Sequence, residues 1–465
     1  MTMPRPAAAW LSVAGVAMVA LTAAGLYCES RDRMPWYFHN APDHLPWFIA
    51  AALAQGVVYL AAVLLVFRRG GESSSLIVIL AVAAITRLPI TLSTPYLSSD
   101  AYRYIWDGRV QAHGINPYRF APSDPHLKPL QDTAIYHNIN RREYAHTIYP
   151  PVAEMLFLAI TRVSESIIWM KATMVAFEAL ALWLLMRLLT GLRLPLEHVI
   201  IYAWNPVALW EFAGSGHVDS VAIAFIALAL LARSRERAVL TGFGLACATM
   251  VKFYPALLFP TLYRRWDWKM PAAFAATMIV SYAPYLGVGT GVIGFLPLYL
   301  REEGLTNGSR FYLAELLRTG LKIQWFGPTS CLVVVGLILA TVAAFAFVRS
   351  SKGQRGWLVG AAAIVTAALV VFSPHYPWYF AWVLAIFCAL PYAPVLYLVT
   401  ASPLLYVTLM DGSARMLLRI NTLLYCSFVM FVLFDLVARG RYGRRFGVIR
   451  WMRGPAKRDG HAVRR

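Results

Sequence analysis

The sequence predicts an all-α integral membrane protein, and three observations support this. Of the 465 residues, 59% are hydrophobic and only 14% are charged, with a mean hydropathy of +0.58. Soluble proteins carry charges at about a quarter of their positions. Apolar blocks such as 7–26, 48–67 and 331–348 match the length of about 20 residues that a helix needs to cross a bilayer. The alternation of apolar and polar residues typical of an outer-membrane barrel is absent.

The distribution of charge predicts how the chain crosses the membrane. The net charge is +19, and the basic residues concentrate in alternate loops, whereas the loops 97–150 and 289–328 are longer and the first of them is balanced in charge. The positive-inside rule therefore places the basic loops in the cytoplasm and the two large loops outside. We expect a multi-pass protein of the plasma (inner) membrane. We expect membrane lipids and no nucleic acid as partners, because arginines beside a membrane usually meet anionic headgroups.

The apolar segments follow one another as about 12–14 membrane segments. Residues 151–163 are too short to cross. The stretch 238–263 has basic flanks and is interrupted at Lys252, so we predict a helical hairpin that enters from the cytoplasm. The other segments are predicted at 7–27, 47–67, 76–96, 167–186, 198–212, 218–232, 271–288, 329–348, 357–372, 378–390, 392–409 and 417–437.

The first large loop opens with a candidate general base. Asp100 lies where the third segment leaves the membrane, and Asp100, Arg103 and Asp107 share one face if a helix begins there. A carboxylate in such low-dielectric surroundings is suited to accept a proton from a hydroxyl. Ser98-Ser-Asp100 is also a typical helix N-cap, and the charges could form surface ion pairs. Residue types alone leave both interpretations open.

Three other positions interrupt apolar or aromatic stretches near the predicted outer boundary. His217 and Asp219 stand in a short turn, where they could bind a phosphate or hydroxyl or where Asp219 could cap the next helix. His375 lies among aromatic residues of an interfacial belt, which accounts for the aromatics but not for the histidine. Lys252 in an apolar stretch marks a functional site or a paired charge, unless its ammonium snorkels to the interface.

Several kinds of chemistry have no motif in the chain. Gly289–Gly294 matches the spacing of a dinucleotide-binding loop but lacks the surrounding βαβ unit. There is no P-loop and no paired Cys/His spacing for zinc, and four of the five cysteines lie within apolar blocks. We therefore expect no cofactor.

A set of motifs spread over residues 95–380 carries a resemblance to a known family. The run 99–109, followed by Gly114–Tyr118 and Tyr149–Pro151, resembles the polyprenyl-phosphate-sugar-dependent glycosyltransferases of the GT-C fold. It is most similar to glycosyltransferase family 87, whose best-known members are bacterial α-mannosyltransferases. Further matches are Trp204–Pro206, Glu211, Gly214–Asp219, Val251–Pro255 and Ser373–Tyr379.

The resemblance implies a GT-C-type helical bundle with two large outer loops and a catalytic aspartate at Asp100. We assign binding of the donor phosphate to Lys252 and His375, with His217 and Arg103 next. Further substrate-binding candidates are Asp107, Arg109, Tyr149, Asp219 and Tyr376. Many members place two acidic residues side by side in the first loop, whereas Asp100 follows two serines, so we expect no metal.

The resemblance also suggests a division of the chain and an activity. Residues 1–75 would be an N-terminal two-helix addition, 76–438 the catalytic membrane domain, and 439–465 a basic cytoplasmic tail. The expected reaction is inverting transfer of a sugar, mannose by this resemblance, from a polyprenyl phosphate to a lipid-linked or glycan hydroxyl on the outer face. The alternatives are a flippase or transporter of lipid-linked sugars, and a glycan polymerase or ligase that uses a diphosphate-linked donor.

Overall fold

The computed structural model describes residues 7–32, 42–69, 73–323, 327–353 and 355–442, and within these ranges the regular structure is helical. The α-helices are α1 (Ala7–Arg31), α2 (Leu45–Arg69), α3 (Ser73–Leu92), α4 (Asp100–Ala112), α5 (Pro151–Thr161), α6 (Ile167–Gly191), α7 (Ile200–Ala203), α8 (Pro206–Ala208), α9 (Asp219–Ser234), α10 (Ala238–Thr249), α11 (Phe259–Leu262), α12 (Lys269–Tyr282), α13 (Leu296–Glu302), α14 (Tyr312–Glu315), α15 (Pro328–Ser350), α16 (Gly356–Phe372), α17 (Trp378–Ala381), α18 (Leu384–Phe387), α19 (Ala393–Ala401) and α20 (Ala414–Tyr442).

The protein is an all-α polytopic membrane protein, as the sequence predicts. In the part of the chain that the structure describes, seven helical stretches are long and apolar enough to cross a bilayer. They are α1, α2, α3, α6, the continuous run Lys269–Glu302 that includes α12 and α13, α15, and α20 to Val437. Several segments that the sequence predicts as crossings are shorter apolar helices, among them α16 and the run Ala393–Leu409. The predicted total of 12–14 segments stays a prediction.

The first two helices pack tightly against the rest of the bundle. A Cβ at Gly25 would lie 2.5 Å from the Trp210 ring, and one at Gly56 would lie 2.5 Å from Cγ2 of Thr400. Small residues at such positions allow helices to approach closely inside a membrane. The chain boundary at residue 75 stays a prediction. Residues 443–465, the greater part of the predicted basic tail, lie outside the described residues.

A buried ion pair joins α3 to α6 in the interior. Arg87 donates to both carboxylate oxygens of Glu178 and also to the backbone oxygen of Ala203. Each charge in this pair has its hydrogen-bonding partners, which is what the membrane interior requires. The pair fixes α3, which leads into the first large loop, against α6.

The stretch 238–262 turns back on itself, as predicted for the hairpin. α10 ends at Thr249, and a 3₁₀ turn and α11 bring the chain back to residue 262. At the feet of the hairpin, Arg264 pairs with Glu236 at 2.8 Å. At its tip, Lys252 pairs with Asp219, the first residue of α9. Asp219 begins α9, and Glu236 lies just after its end. The sixteen residues of α9 therefore separate the tip of the hairpin from its feet by about 24 Å.

Candidate active site

A cavity of about 450 Å³ lies where α4 begins, and we call it the Asp100 cavity. Its volume falls within the range of roughly 300–1,000 Å³ that is usual for small-molecule sites. Five separated stretches contribute to its lining, namely 97–103, 140–150, 251–254, 295–303 and 376–379. The cavity therefore depends on the tertiary packing of the loops and not on one local motif.

Asp100 is the first residue of α4, and its carboxylate is held by two donors from the loop. Asn140 Nδ2 donates to one oxygen at 3.1 Å, and the Tyr149 hydroxyl donates to the other at 3.3 Å. The Asp100 side chain lines the cavity and keeps 21% of its surface exposed. Ser99 makes no side-chain capping bond, but Ser98 Oγ accepts a hydrogen bond from the Asp100 N–H at 3.2 Å, so the alternative of a helix start supported by serine also holds. The carboxylate is thus oriented and accessible, which a general base requires.

His217 lies behind Asp100 and is completely buried. Its Nδ1 is 3.9 Å from a carboxylate oxygen of Asp100, and its Nε2 is 3.6 Å from Glu211. The imidazole stacks on Trp378 with ring centroids 4.3 Å apart, and neither nitrogen makes a hydrogen bond. His217 does not line the Asp100 cavity. The imidazole therefore lies between the carboxylates of Asp100 and Glu211, and its assignment to the donor phosphate stays a prediction.

Lys252 stands on the wall of the Asp100 cavity and is also a paired charge. Its Nζ lies 2.8 Å from Asp219 and 5.0 Å from the centre of the Tyr379 ring. The Tyr254 hydroxyl donates to the other oxygen of Asp219 at 3.0 Å. Asp219 is fully buried, whereas Lys252 remains 12% exposed. The lysine therefore contributes a positive charge to the cavity without an uncompensated charge in the membrane interior.

Arg103 contributes to the cavity wall, and an ion pair with Asp107, one turn further along α4, holds it there. Its Nε donates to both oxygens of Asp107 at 2.8 and 3.0 Å, and a terminal nitrogen donates to the Ala145 oxygen at 3.0 Å. Burial raises the pKa of Asp107, and the guanidinium of Arg103 opposes that rise. Asp107 itself does not line the cavity.

Arg109 and Asp132 fix the loop to α4 outside the cavity. Arg109 pairs with Asp132 at 2.9 Å and with Glu165 at 2.8 Å. Partial burial raises the pKa of Asp132, but hydrogen bonds from Arg109 and from backbone N–H groups outweigh this and lower it overall. Arg109 thus ties the loop to α4, and its assignment as a substrate-binding residue stays a prediction.

A neighbouring cavity of about 260 Å³ holds His375, and we call it the His375 cavity. His375 Nδ1 lies 4.0 Å from Glu303, which is also paired with Arg310. Tyr376 and Glu303 line both cavities. Of the four residues assigned to the donor phosphate, Lys252 and Arg103 line the Asp100 cavity, His375 lines the neighbouring cavity, and His217 lines neither.

The structure brings further residues to the Asp100 cavity that the sequence did not single out. Asn140 holds the carboxylate, and Arg141, with Glu303 and Tyr299, lines the cavity. Arg141 adopts a left-handed backbone conformation with φ of 52°. Asn140 lies 40 residues after Asp100 in the sequence, and no spacing rule connects the two. The acidic pair at 302–303 beside an apolar stretch was a signal that could have been used.

No group of three or more His, Cys, Asp or Glu side chains suited to a metal ion occurs in the residues that the structure describes. Independence from metal stays a prediction.

Comparison with known proteins assigns the chain to a family. The family model described as "Alpha-(1->6)-mannopyranosyltransferase, N-terminal domain" matches residues 7–267. The chain belongs to this family. The match confirms the resemblance to bacterial α-mannosyltransferases, includes Asp100 and Lys252, and begins with α1.

One relative is named for the same activity. Alpha-(1->6)-mannopyranosyltransferase A of Mycobacterium tuberculosis (strain ATCC 25618 / H37Rv) is 21% identical over 325 residues. The alignment covers 64% of this chain, and the chain spans 62% of the length of that relative. No solved structure matches the chain.

Proposed function

We propose that this protein is a membrane mannosyltransferase that transfers mannose from a polyprenyl-phosphate donor to a hydroxyl of a lipid-linked or glycan acceptor. The observation that carries the proposal is the accessible carboxylate of Asp100, held by Asn140 and Tyr149 on the wall of a cavity that also contains Lys252. Family membership supports the sugar and the reaction class.

The proposed reaction is a direct displacement with inversion. The acceptor hydroxyl donates a hydrogen bond to Asp100, which takes the proton as the oxygen attacks the anomeric carbon. The bond between that carbon and the phosphate oxygen breaks on the opposite face of the sugar. The phosphate leaves with the bonding electrons, so its negative charge increases. Asp100 forms no covalent intermediate in this scheme.

The leaving phosphate requires positive charge where its negative charge develops. Lys252 and Arg141 both line the Asp100 cavity, and Arg103 contributes to the same wall. Arg103 is held by Asp107, and Arg141 pairs with Glu302 at the more exposed rim. Lys252 is paired as well, with Asp219, but its side chain is more exposed than that of Arg103 (12% against 7%) and more buried than that of Arg141 (34%). We therefore take Lys252 as the principal candidate, and His375 would act from the neighbouring cavity.

Asp100→Asn tests the general base directly, because it preserves the volume of the side chain and removes the basic oxygen. We expect turnover of purified protein in liposomes, with radiolabelled polyprenyl-phosphate mannose as donor, to fall by about 10²–10⁴-fold. Asp124→Asn is the matched control, since Asp124 lies in the same loop outside the cavity. Near-normal turnover in Asp100→Asn would contradict the mechanism.

The same preparation separates the alternatives. A flippase of lipid-linked sugars would move the donor between leaflets without forming product, and Asp100→Asn would leave that movement intact. A polymerase or ligase would form product from a diphosphate-linked donor and not from the monophosphate. Product from polyprenyl-phosphate mannose alone supports the proposed class.

The Asp100 cavity is proposed to face the outside of the plasma membrane. The support is that the arginines at residues 193, 233, 264, 265 and 355 gather at the other end of the bundle, which the positive-inside rule assigns to the cytoplasm. Single cysteines placed at Asp124 and at Lys352, in a chain with Cys426 replaced by alanine, test this. A membrane-impermeant maleimide should label position 124 in intact cells and not position 352, and the reverse pattern would invert the topology.

A further inference from the structure

A second large cavity lies at the end of the bundle opposite Asp100, and we call it the arginine cavity. Its volume is about 700 Å³. The ends of α6, α9 and α15, the residues after the hairpin and the start of α16 meet there. The charged residues of its lining are Arg193, Arg233, Arg264, Arg265, Arg355 and Glu236. Five arginines against one glutamate give the lining a formal charge of +4.

Most of this positive charge has no acidic partner. Arg264 pairs with Glu236 at 2.8 Å, and both side chains are well exposed. Among the described residues, no carboxylate lies within 4 Å of the other four arginines of the cavity. Glu236 in the lining, and Asp267 in a small adjoining cavity that Arg233 and Arg264 also line, offset only part of this charge. The remaining guanidinium groups repel one another, so the cavity is arranged to receive an anion.

Two of the arginines are fixed in place by the backbone. Arg355 donates to the Leu192 oxygen at 2.7 Å, and Arg233 donates to the Ser350 oxygen at 3.5 Å. The Arg233 guanidinium also lies 5.8 Å from the centre of the Trp357 ring. Its Nε is buried and makes no hydrogen bond. This donor is available to a group bound in the cavity.

The position of the cavity indicates the source of the anion. It lies about 24 Å along α9 from Asp219, so the two ends of that helix reach toward opposite boundaries of a hydrocarbon core of about 30 Å. Basic cavities between helices at the cytoplasmic boundary bind the headgroups of anionic lipids. The planar fork of a guanidinium matches the geometry of phosphate oxygens.

We propose that the arginine cavity binds the phosphate groups of an anionic phospholipid, and that a lipid with two phosphates, such as cardiolipin, binds more tightly than one with a single phosphate. A formal charge of +4 exceeds what one phosphodiester neutralises. The site is distinct from the Asp100 cavity, and the proposal does not depend on mannosyl transfer.

Lipid binding to the purified full chain in a neutral detergent tests the proposal by native mass spectrometry. The probes are cardiolipin, phosphatidylglycerol, phosphatidylcholine and inorganic phosphate. We expect saturable binding of cardiolipin, weaker binding of phosphatidylglycerol and none of phosphatidylcholine. Saturable binding of inorganic phosphate at the same site without lipid, or equal affinity for phosphatidylcholine, would overturn the lipid assignment.

The double variant Arg193→Gln/Arg265→Gln removes two arginines that have no carboxylate partner. Because each arginine near the membrane surface contributes about fivefold, the affinity for cardiolipin should fall roughly 25-fold. Arg119→Gln/Arg419→Gln is the matched control, since both residues are exposed and lie outside the cavity. Equal affinity in the two double variants would overturn the site.

A measurement on the unaltered protein keeps the proposal testable if a variant does not fold. Binding that depends on several guanidinium–phosphate contacts should weaken as the ionic strength rises from about 0.05 M to 0.5 M. Cardiolipin binding that is insensitive to salt over this range would overturn the proposal.

Discussion

Lys252→Met separates a structural role of the lysine from a role in the reaction. The substitution leaves the fully buried carboxylate of Asp219 with the Tyr254 hydroxyl as its remaining hydrogen-bond donor. Removal of one member of a buried ion pair typically costs about 3–5 kcal/mol. That is a large part of the roughly 5–15 kcal/mol by which a protein domain is stabilised. Lys252→Met alone is therefore expected to lower both stability and turnover.

The double variant Lys252→Met/Asp219→Asn removes both charges together. It should recover most of the lost stability, because no unpaired charge remains in the interior. If Lys252 also stabilises the leaving phosphate, turnover of the double variant should stay about 10²–10³-fold below that of the unaltered protein. Asp219→Asn alone, which retains the ammonium, serves as the comparison for turnover.

Two measurements in the same detergent decide the outcome. Thermal unfolding reports the stability of each variant, and product formation from polyprenyl-phosphate mannose at saturating donor reports turnover. A double variant that regains both stability and turnover would refute the proposed role of Lys252 and assign the pair to the fold.

His375→Ala should lower turnover less than Lys252→Met does, because His375 lines the neighbouring cavity.

Two smaller changes test the support of Asp100 and the packing of its helix. Tyr149→Phe removes a hydroxyl donor 3.3 Å from the Asp100 carboxylate, so turnover should fall about tenfold with little change in thermal unfolding. Tyr136→Phe, in the same loop outside the cavity, is the control, and an equal effect there would argue against a specific role of Tyr149. Gly108→Ala would place a Cβ 2.4 Å from the Phe157 oxygen and should destabilise the contact of α4 with α5 by about 1–3 kcal/mol. Gly191→Ala, where no atom lies within 4 Å, should leave the unfolding temperature unchanged or slightly higher, and a loss as large as that in Gly108→Ala would contradict the steric explanation.

The sequence predicted those features that depend on local composition. Apolar block length indicated the helical membrane fold, and basic residues on both flanks of a stretch broken at Lys252 indicated the hairpin. Their spacing placed Asp100, Arg103 and Asp107 on one helix face, and Arg103 pairs with Asp107 there, although the pair is buried and not at the surface. These predictions needed only the neighbours of each residue along the chain.

The arrangement of the site could not be predicted in the same way. Lys252 interrupts an apolar stretch and His375 an aromatic one. Composition alone could not show that the two residues would line adjacent cavities. Asn140 reaches Asp100 through the path of a loop, which periodicity does not describe. The pairing of Lys252 with Asp219 required the tip of the hairpin to meet the start of α9, a contact set by packing over 33 residues of sequence.

The lining of the Asp100 cavity is divided between two halves of the chain. Asp100, Asn140, Tyr149 and Lys252 belong to the region that the family model matches, whereas the stretches 295–303 and 376–379 lie beyond it. The two groups of stretches lie far apart in the sequence and meet only in the folded chain, so the lining is complete only when both halves are packed together. A fragment that ended at residue 267 would keep the Asp100 carboxylate with its two donors and would lose two of the five stretches that line the cavity.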